Sequence, residues 1–148
     1  MQLTRHADYA LRVLLYLGKQ NDRICSIRNI SEAYGISHNH LMKVVHELGK
    51  EGYLISARGR YGGIRLSQPA AEINIGDVLR KMEKDFQLVD CGSCRIGGGC
   101  GLQGVINEAL AAFLGVFQRY SLQDILDQSP QIEKMLQLMT TSETGGAA

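Results

Sequence analysis

The sequence has no tryptophan, only two prolines and few aromatic residues, which make up 6% of its 148 positions. It has no run of the 18 or more apolar residues that a membrane helix needs, so we expect no membrane partner. Its first residues, MQLTRHADYALR, mix charged and apolar side chains, which argues against a secretory signal. Because 45% of the residues are hydrophobic and 21% are charged, the composition predicts a globular cytoplasmic protein with a real core.

Cysteine is also scarce, but three of the four cysteines lie together in the stretch DCGSCRIGGGCGL. Their spacing is Cys91-x2-Cys94-x5-Cys100. In a reducing cytoplasm, thiols grouped in this way indicate a metal or redox site more often than a disulfide. The fourth, Cys25, stands apart and is expected to be a small buried hydrophobic residue.

The net charge of +1 hides an uneven distribution along the chain. Residues 1–67 contain ten Lys and Arg against five Asp and Glu, whereas residues 68–148 contain six against ten. A net charge of +5 in the first part and −4 in the second favours contact with a polyanion through the first part.

Hydrophobic spacing predicts three helices in the first 50 residues. The first runs from Thr4 to about Lys19, and the second covers 27–34 with Ser26 as its cap. Gly35 ends the second helix, and Ser37 is expected to cap a third. The third helix carries an apolar stripe at Leu41, Val44, Val45 and Leu48. Two helices joined by a tight glycine turn predict a helix-turn-helix.

A hairpin is predicted directly after the third helix. A short strand over 53–57, a glycine-containing turn over 58–63 and a return strand over 64–66 follow one another. A hairpin in this position forms a wing, so residues 1–68 are interpreted as a winged helix-turn-helix DNA-binding domain. The overall fold is therefore predicted to be mainly α with a small β-hairpin wing.

The second half is predicted to be helical around the cysteine loop. Residues 69–101 contain a linking helix over 75–82 and the loop that carries the three clustered cysteines. A long apolar helix over 102–120 is expected to pair with its copy in a dimer, because a module this small cannot hide it. Two short helices, the second with Pro130 in its first position, complete a dimerisation region over 102–139. Residues 140–148 are predicted to be a disordered tail.

The exposed face of the third helix and the wing carry the candidate DNA contacts. The start of a recognition helix is where side chains reach base edges, and an arginine on a narrow loop can enter a minor groove. Arg5, Arg12 and Arg28 are candidate phosphate contacts. Taken singly, the histidines have a simpler interpretation as ordinary surface residues. The candidate DNA-binding residues are Arg28, Ser37, His38, Asn39, His40, Lys43, Arg58, Arg60 and Tyr61.

Three interpretations of the clustered cysteines are open on the residues alone. A structural zinc normally has four protein ligands, and only one close pair is visible. Neighbouring thiols can form a regulatory disulfide. Soft thiolates with one ligand missing also suit an iron–sulfur cluster. No nucleophile–base pair, phosphate loop or βαβ pattern accompanies the cysteines, so no enzymatic activity is predicted.

From LTRHADYALR through RGRYGGIRL and CRIGGGC to YSLQDIL, the chain resembles the Rrf-type winged-helix iron–sulfur regulators, and within them the nitric-oxide-sensing branch. The resemblance implies a homodimer that represses transcription from double-stranded promoter DNA and releases it in response to nitric oxide. It implies an iron–sulfur cluster, [4Fe-4S] or [2Fe-2S], held by Cys91, Cys94 and Cys100. A carboxylate from the first helix of the second subunit is a further ligand in this branch, and the matching position is Asp8.

The sequence departs from that family at its first cysteine gap, which is two residues here and commonly five in relatives. The cluster-assembly branch has a histidine where this chain has Gln103, which argues against that branch. Asp8 also has a simpler interpretation, as a first-turn carboxylate that faces the helix dipole. The alternatives to nitric oxide sensing are an iron- or redox-responsive regulator of the same fold and a zinc-stabilised DNA-binding protein without sensing.

Overall fold

The structure is a computed structural model that describes residues 1–141, in which seven helices and one two-stranded hairpin are present. The helices are α1 (Arg5–Gly18), α2 (Ile27–Tyr34), α3 (His38–Lys50), α4 (Ile75–Met82), α5 (Leu102–Gln118), α6 (Leu122–Asp127) and α7 (Ile132–Thr141). The strands are β1 (Leu54–Ala57) and β2 (Gly63–Leu66), and a 3-10 turn covers Ala70–Glu72. The predicted fold class, mainly α with a hairpin wing, is confirmed.

Local capping explains where the first helices begin and end. The hydroxyl of Thr4 accepts a hydrogen bond from the Ala7 amide, and the hydroxyl of Ser26 accepts one from the Asn29 amide. Gly35 ends α2 with φ of 63°, a left-handed conformation that glycine adopts without a steric penalty. Ser37 differs from the expectation, because it occupies the capping position of α3 but its side chain makes no capping hydrogen bond.

The hairpin is joined to the segment before α2. Strands β1 and β2 are antiparallel, with Leu54 opposite Leu66 and Ala57 opposite Gly63. The Cys25 amide donates to the Ile64 carbonyl at 2.9 Å, and the Ile64 amide donates back at 2.8 Å. A Cβ atom on Gly63 would lie 2.4 Å from the Cys25 carbonyl oxygen, so only glycine permits this approach. The wing is therefore held in place by the chain that leads into the helix-turn-helix.

Helix α1 lies at the centre of the core and packs against α3, α4 and α6. Its inner face has no solvent exposure at Ala7, Ala10, Val13 and Leu14. The fully buried residues of the other elements surround it and include Ile30, Leu41, Leu48, Ile73, Leu79 and Leu122. Because α1 contacts both α3 and α4, it joins the helix-turn-helix to the second half of the chain.

Among the described residues, the hydrogen bonds that join α5 to this core lie at its C-terminal end. The Asn74 side-chain amide donates to the Gln118 carbonyl at 2.8 Å, and the Ile75 amide donates to the Tyr120 carbonyl at 3.0 Å. Along its 17 residues only Leu114 is buried. The helix ends at Gln118 rather than Tyr120, so it is about 25 Å long at 1.5 Å per residue.

Two expectations about the C-terminal part differ from the structure. Pro130 was expected in the first position of a helix, but α7 begins at Ile132 and Pro130 lies in the preceding turn. Of the predicted disordered tail, 140 and 141 belong to α7 and 142–148 lie outside the described residues. Within the described residues, no helix combines the length and the apolar character needed to cross a membrane.

Candidate DNA-reading surface and cysteine loop

Helix α3 presents one polar face to solvent because its opposite face is buried in the core. Leu41, Val44 and Leu48 have 1% exposure or none. The predicted base-reading residues all lie on the exposed side, at Ser37, His38, Asn39, His40 and Lys43. The structure therefore places this predicted set together on one accessible surface.

The wing tip carries the second predicted group of DNA contacts. Arg58, Arg60 and Tyr61 are exposed in the turn between β1 and β2, and Tyr61 is 87% exposed. The Arg60 guanidinium lies 5.9 Å from the centroid of the Tyr61 ring, a cation–π contact. Gly59 has φ of 103°, which permits the tight turn that projects these side chains.

Two of the three arginines predicted to contact phosphates, Arg12 and Arg28, have acidic partners within their own helices. Arg28 Nε lies 2.7 Å from Glu32 Oε1, and the Arg28 side chain is 81% exposed. Arg12 Nε lies 2.9 Å from Asp8 Oδ1. A phosphate contact by either guanidinium therefore competes with a carboxylate that is already bound.

A ring contact links α1 to α3. The rings of Tyr9 and His40 meet edge to face with centroids 5.7 Å apart. The Arg12 guanidinium lies 5.9 Å from the ring of Tyr9 and 5.9 Å from that of Tyr34. This network was missed by sequence reasoning, although the i, i+4 spacing of Asp8 and Arg12 was a signal for its first pair.

The cysteine loop, defined as residues 84–101, connects α4 to α5 without regular secondary structure. Cys91 is half-buried, Cys94 and Cys100 are exposed, and all are free thiols. The chain turns twice within it, since the Cys94 amide donates to the Cys91 carbonyl at 3.4 Å and the Gly97 amide to the Cys94 carbonyl at 3.1 Å. The loop therefore presents its sulfur atoms near the surface.

A serine orders the middle of the loop. The Ser93 hydroxyl donates to Asp90 Oδ2 at 2.5 Å, and the Ser93 amide donates to Oδ1 at 3.2 Å. Both hydrogen bonds lower the pKa of Asp90 below its ordinary value, and the one from the Ser93 hydroxyl is the larger cause. The Asp90 carboxylate thus remains charged beside Cys91.

The donor set of the loop fits a soft metal centre in its chemistry. Three thiols are present within ten residues, and Gly98, with φ of 86°, adopts a backbone conformation that glycine favours. Across residues 1–141, however, no three side chains among His, Cys, Asp and Glu converge as they do around a bound metal. Asp8 is likewise engaged by Arg12 rather than by the loop.

A carboxylate just before the loop was also missed by sequence reasoning. Glu83, the first residue after α4, is only 6% exposed. Its Oε2 atom accepts hydrogen bonds from the Thr4 amide at 2.8 Å and from the Thr4 hydroxyl at 3.0 Å. The two residues are 79 positions apart, so no local sequence pattern predicts this contact.

Comparison with known proteins relates this arrangement to a family of regulators. A family model described as "Rrf2: Iron-dependent Transcriptional regulator" matches residues 3–128. The HTH-type transcriptional regulator NsrR of Bacillus licheniformis is 47% identical over 142 residues, covering 92% of this chain and 99% of the relative. The protein of the same name from Bacillus subtilis is 45% identical over 144 residues, covering 93% and 99%.

Solved structures show the same architecture. A transcriptional regulator from Listeria innocua is 27% identical and superimposes with a TM-score of 0.74, covering 87% of this chain and 88% of that one. At 21% identity, T. potens IscR supports the fold alone, with a TM-score of 0.72 and the same coverage. The resemblance drawn from the sequence motifs is therefore confirmed. The chain is a regulator of transcription and not an enzyme, and it belongs to the Rrf2 family.

Proposed function

We propose that this protein is a dimeric, cytoplasmic transcriptional repressor whose hold on promoter DNA depends on an iron–sulfur cluster that reacts with nitric oxide. The observation that carries the proposal is that one chain combines an exposed polar face on α3 with a surface loop that carries three thiols, joined through α1, α4 and α5. The relatives at 42–47% identity that bear the name NsrR support it.

The surface of α5 supports dimerisation. Leu102 is 58% exposed, Val105 63% and Val116 45%, although all three are apolar. Burying such a helix against a second copy removes this apolar surface from water. A dimer also gives two copies of α3, which is how helix-turn-helix proteins bind paired half-sites on double-stranded DNA.

The cysteine loop supports a soft inorganic cofactor. Cys91, Cys94 and Cys100 would hold the cluster as thiolates, with Asp8 of the second copy as a candidate further ligand. When bound, the cluster would supply the iron that nitric oxide attacks. Because the loop joins α4 to α5, binding of its thiolates to the cluster would restrain both helices. Loss of the cluster would remove this restraint and so change the spacing of the two α3 helices in the dimer.

A cavity beside the loop supports a small uncharged signal. It has a volume of about 230 Å³ and lies between the loop and α5. Its lining includes Cys91, the apolar side chains of Phe86, Ile106 and Leu110, and the amide side chains of Gln103 and Asn107. Nitric oxide is small and uncharged, so an opening of this size admits it to Cys91 without the desolvation cost that a charged signal would pay.

The test is an anaerobic titration with nitric oxide in which the visible spectrum and operator binding are followed in the same samples. We expect a brown protein whose visible absorption and operator affinity decline together. A colourless protein after iron–sulfur reconstitution contradicts the cluster. Zinc without sulfide in the metal analysis favours the zinc-stabilised alternative, and a response to iron depletion or oxidant but not to nitric oxide favours an iron- or redox-responsive regulator.

A further inference from the structure

Glu83 is the one charged side chain that is buried in the described part of the chain. Its two hydrogen bonds from Thr4, at 2.8 and 3.0 Å, both end on the same carboxylate oxygen, Oε2. Within residues 1–141 no Lys or Arg forms an ion pair with this carboxylate. A buried charge without a cation is unfavourable unless nearby donors compensate for it, so the contact with Thr4 is the main source of compensation.

The donors belong to the N-terminus of α1. Thr4 caps this helix, and its hydroxyl accepts from the Ala7 amide at 3.2 Å while it donates to Glu83. The N-terminus of a helix carries partial positive charge, which further stabilises a carboxylate placed there. The interaction therefore holds only while the end of α4 and the start of α1 keep their present relative position.

The contact lies between the cysteine loop and the recognition helix. Glu83 immediately precedes the loop, and Thr4 lies one turn before Asp8, whose amide donates to the Thr4 carbonyl at 3.0 Å. From Thr4 onward α1 is a continuous helix that reaches α3 through the rings of Tyr9 and His40. One side-chain contact and one rigid helix thus separate the loop from the DNA-reading face.

We propose that Glu83 is a positioning residue that couples the state of the cysteine loop to the recognition helix, an inference that rests on the proposed function. While the loop thiolates are bound to the cluster, the chain after Met82 is restrained and Glu83 stays at the N-terminus of α1. Once the loop is released, the carboxylate turns toward water and α1 loses this restraint. A charged group suits such a switch because its hydrogen bonds are about twice as strong as neutral ones and are lost as a unit.

The test compares cluster-loaded and cluster-free full-length protein for each variant and uses the ratio of their operator affinities. We expect Glu83→Ala to reduce the wild-type ratio by about tenfold or more, since two hydrogen bonds to a charge are lost. Glu83→Gln should give an intermediate ratio, because the amide oxygen still accepts from the Thr4 amide. Asp77→Ala removes an exposed carboxylate from the same helix and should keep the wild-type ratio.

Amide hydrogen exchange of residues 4–8 gives a second readout that needs no DNA. In the wild type we expect slower exchange in the loaded form, whereas Glu83→Ala should exchange equally fast in both forms.

A Glu83→Ala protein that is folded, takes up the cluster and keeps the wild-type affinity ratio overturns the coupling, even if its melting temperature falls. If Glu83→Ala does not fold, Glu83→Gln and Thr4→Val decide in the same way. A wild-type ratio of 1 overturns the proposed function as well, whereas a larger ratio that the variants keep overturns only the coupling.

Discussion

Arg12 binds Asp8 at two points, with Nε donating to Oδ1 and Nη2 donating to Oδ2, both at 2.9 Å. The hydrogen bond to Asp8 is the largest cause that raises the pKa of Arg12 above its ordinary value. Because both carboxylate oxygens accept from Arg12, a metal competes with the guanidinium for Asp8 until Arg12 releases it. The cost of that release is small, since the side chains are 43% and 41% exposed and such pairs contribute about 0–1 kcal/mol.

Asp8→Asn tests the proposed role of this carboxylate. If Asp8 is a cluster ligand, the variant should lower the operator affinity of the cluster-loaded form by about tenfold. The free energy of unfolding of the cluster-free form should change by less than about 1 kcal/mol, because the ion pair is partly exposed. The measurements are operator titrations of both forms and chemical denaturation of the cluster-free form. Glu32→Gln breaks the equivalent pair with Arg28, and identical behaviour of the two variants would exclude a ligand role for Asp8.

Cys94→Ala separates the metal-binding interpretation of the loop from a structural one. Cys94 is exposed, so its replacement should change the free energy of unfolding by no more than about 0.5 kcal/mol. The variant should nevertheless lose the visible absorption of the cluster and the affinity difference that depends on it. Cys25→Ala is the control, because Cys25 is 9% exposed and lies outside the loop. This variant protein should lose about 1 kcal/mol in its free energy of unfolding and keep the colour of the cluster. A coloured Cys94→Ala protein with unchanged operator binding would remove Cys94 from the ligand set.

Arg58→Ala tests the wing. If its guanidinium enters a groove of the operator, binding should weaken by about 1–3 kcal/mol, and the slope of log affinity against log salt should fall by about 1. Fluorescence anisotropy at several salt concentrations measures both quantities. Arg80→Ala removes an exposed positive charge outside the helix-turn-helix and wing and is the matched control. Equal effects of the two substitutions would mean that Arg58 acts only through the overall charge.

Tyr34→Phe is expected to stabilise the folded protein. The Tyr34 hydroxyl is buried and has no hydrogen-bond partner in the described part of the chain. Removing a buried, unsatisfied polar group should raise the free energy of unfolding by about 1 kcal/mol, while the ring keeps its contacts with Arg12 and Tyr16. Urea denaturation at neutral pH measures the difference. Tyr61→Phe, at an exposed tyrosine, should leave stability unchanged, and a destabilised Tyr34→Phe would reveal a partner for the hydroxyl.

The same variant predicts an effect at alkaline pH. Burial is the largest cause that raises the pKa of Tyr34 from 10.0 to about 12. The folded state keeps the Tyr34 proton to a higher pH than the unfolded state. The contribution of this protonation difference to the free energy of unfolding is therefore complete below pH 10 and is lost as pH rises through about 12. The wild type should therefore lose more stability than Tyr34→Phe over that interval. Parallel stability curves for the two proteins from pH 9 to pH 12 would contradict this assignment.

The helices whose signals are local were predicted closely. The bounds of α2 and α4 are those expected from their apolar spacing, and Gly35 takes the left-handed conformation expected at the end of α2. The end of α5 was placed two residues late. The Gln118 and Tyr120 carbonyls at this end accept hydrogen bonds from Asn74 and Ile75, which lie more than 40 positions away.

The candidate site likewise combines features that local sequence predicts with a contact that it does not. The polar face of α3 follows from helical periodicity, because the residues between buried positions must point outward. The pairing of Asp8 with Arg12 depends on i, i+4 spacing and was within reach of the sequence. The contact between Glu83 and Thr4 was not, since it depends on how α1 and α4 pack.

By itself the sequence determined the order of the helices, the wing, the distribution of charge and the clustering of three thiols. These properties depend on periodicity, capping residues and spacing, which act over a few positions. Only the tertiary structure decided that Glu83 is buried under the N-terminus of α1 and that Tyr9 contacts His40. Such contacts join residues brought together by burial of the whole core, and the free energy of that burial is shared among many residues rather than encoded at any one of them.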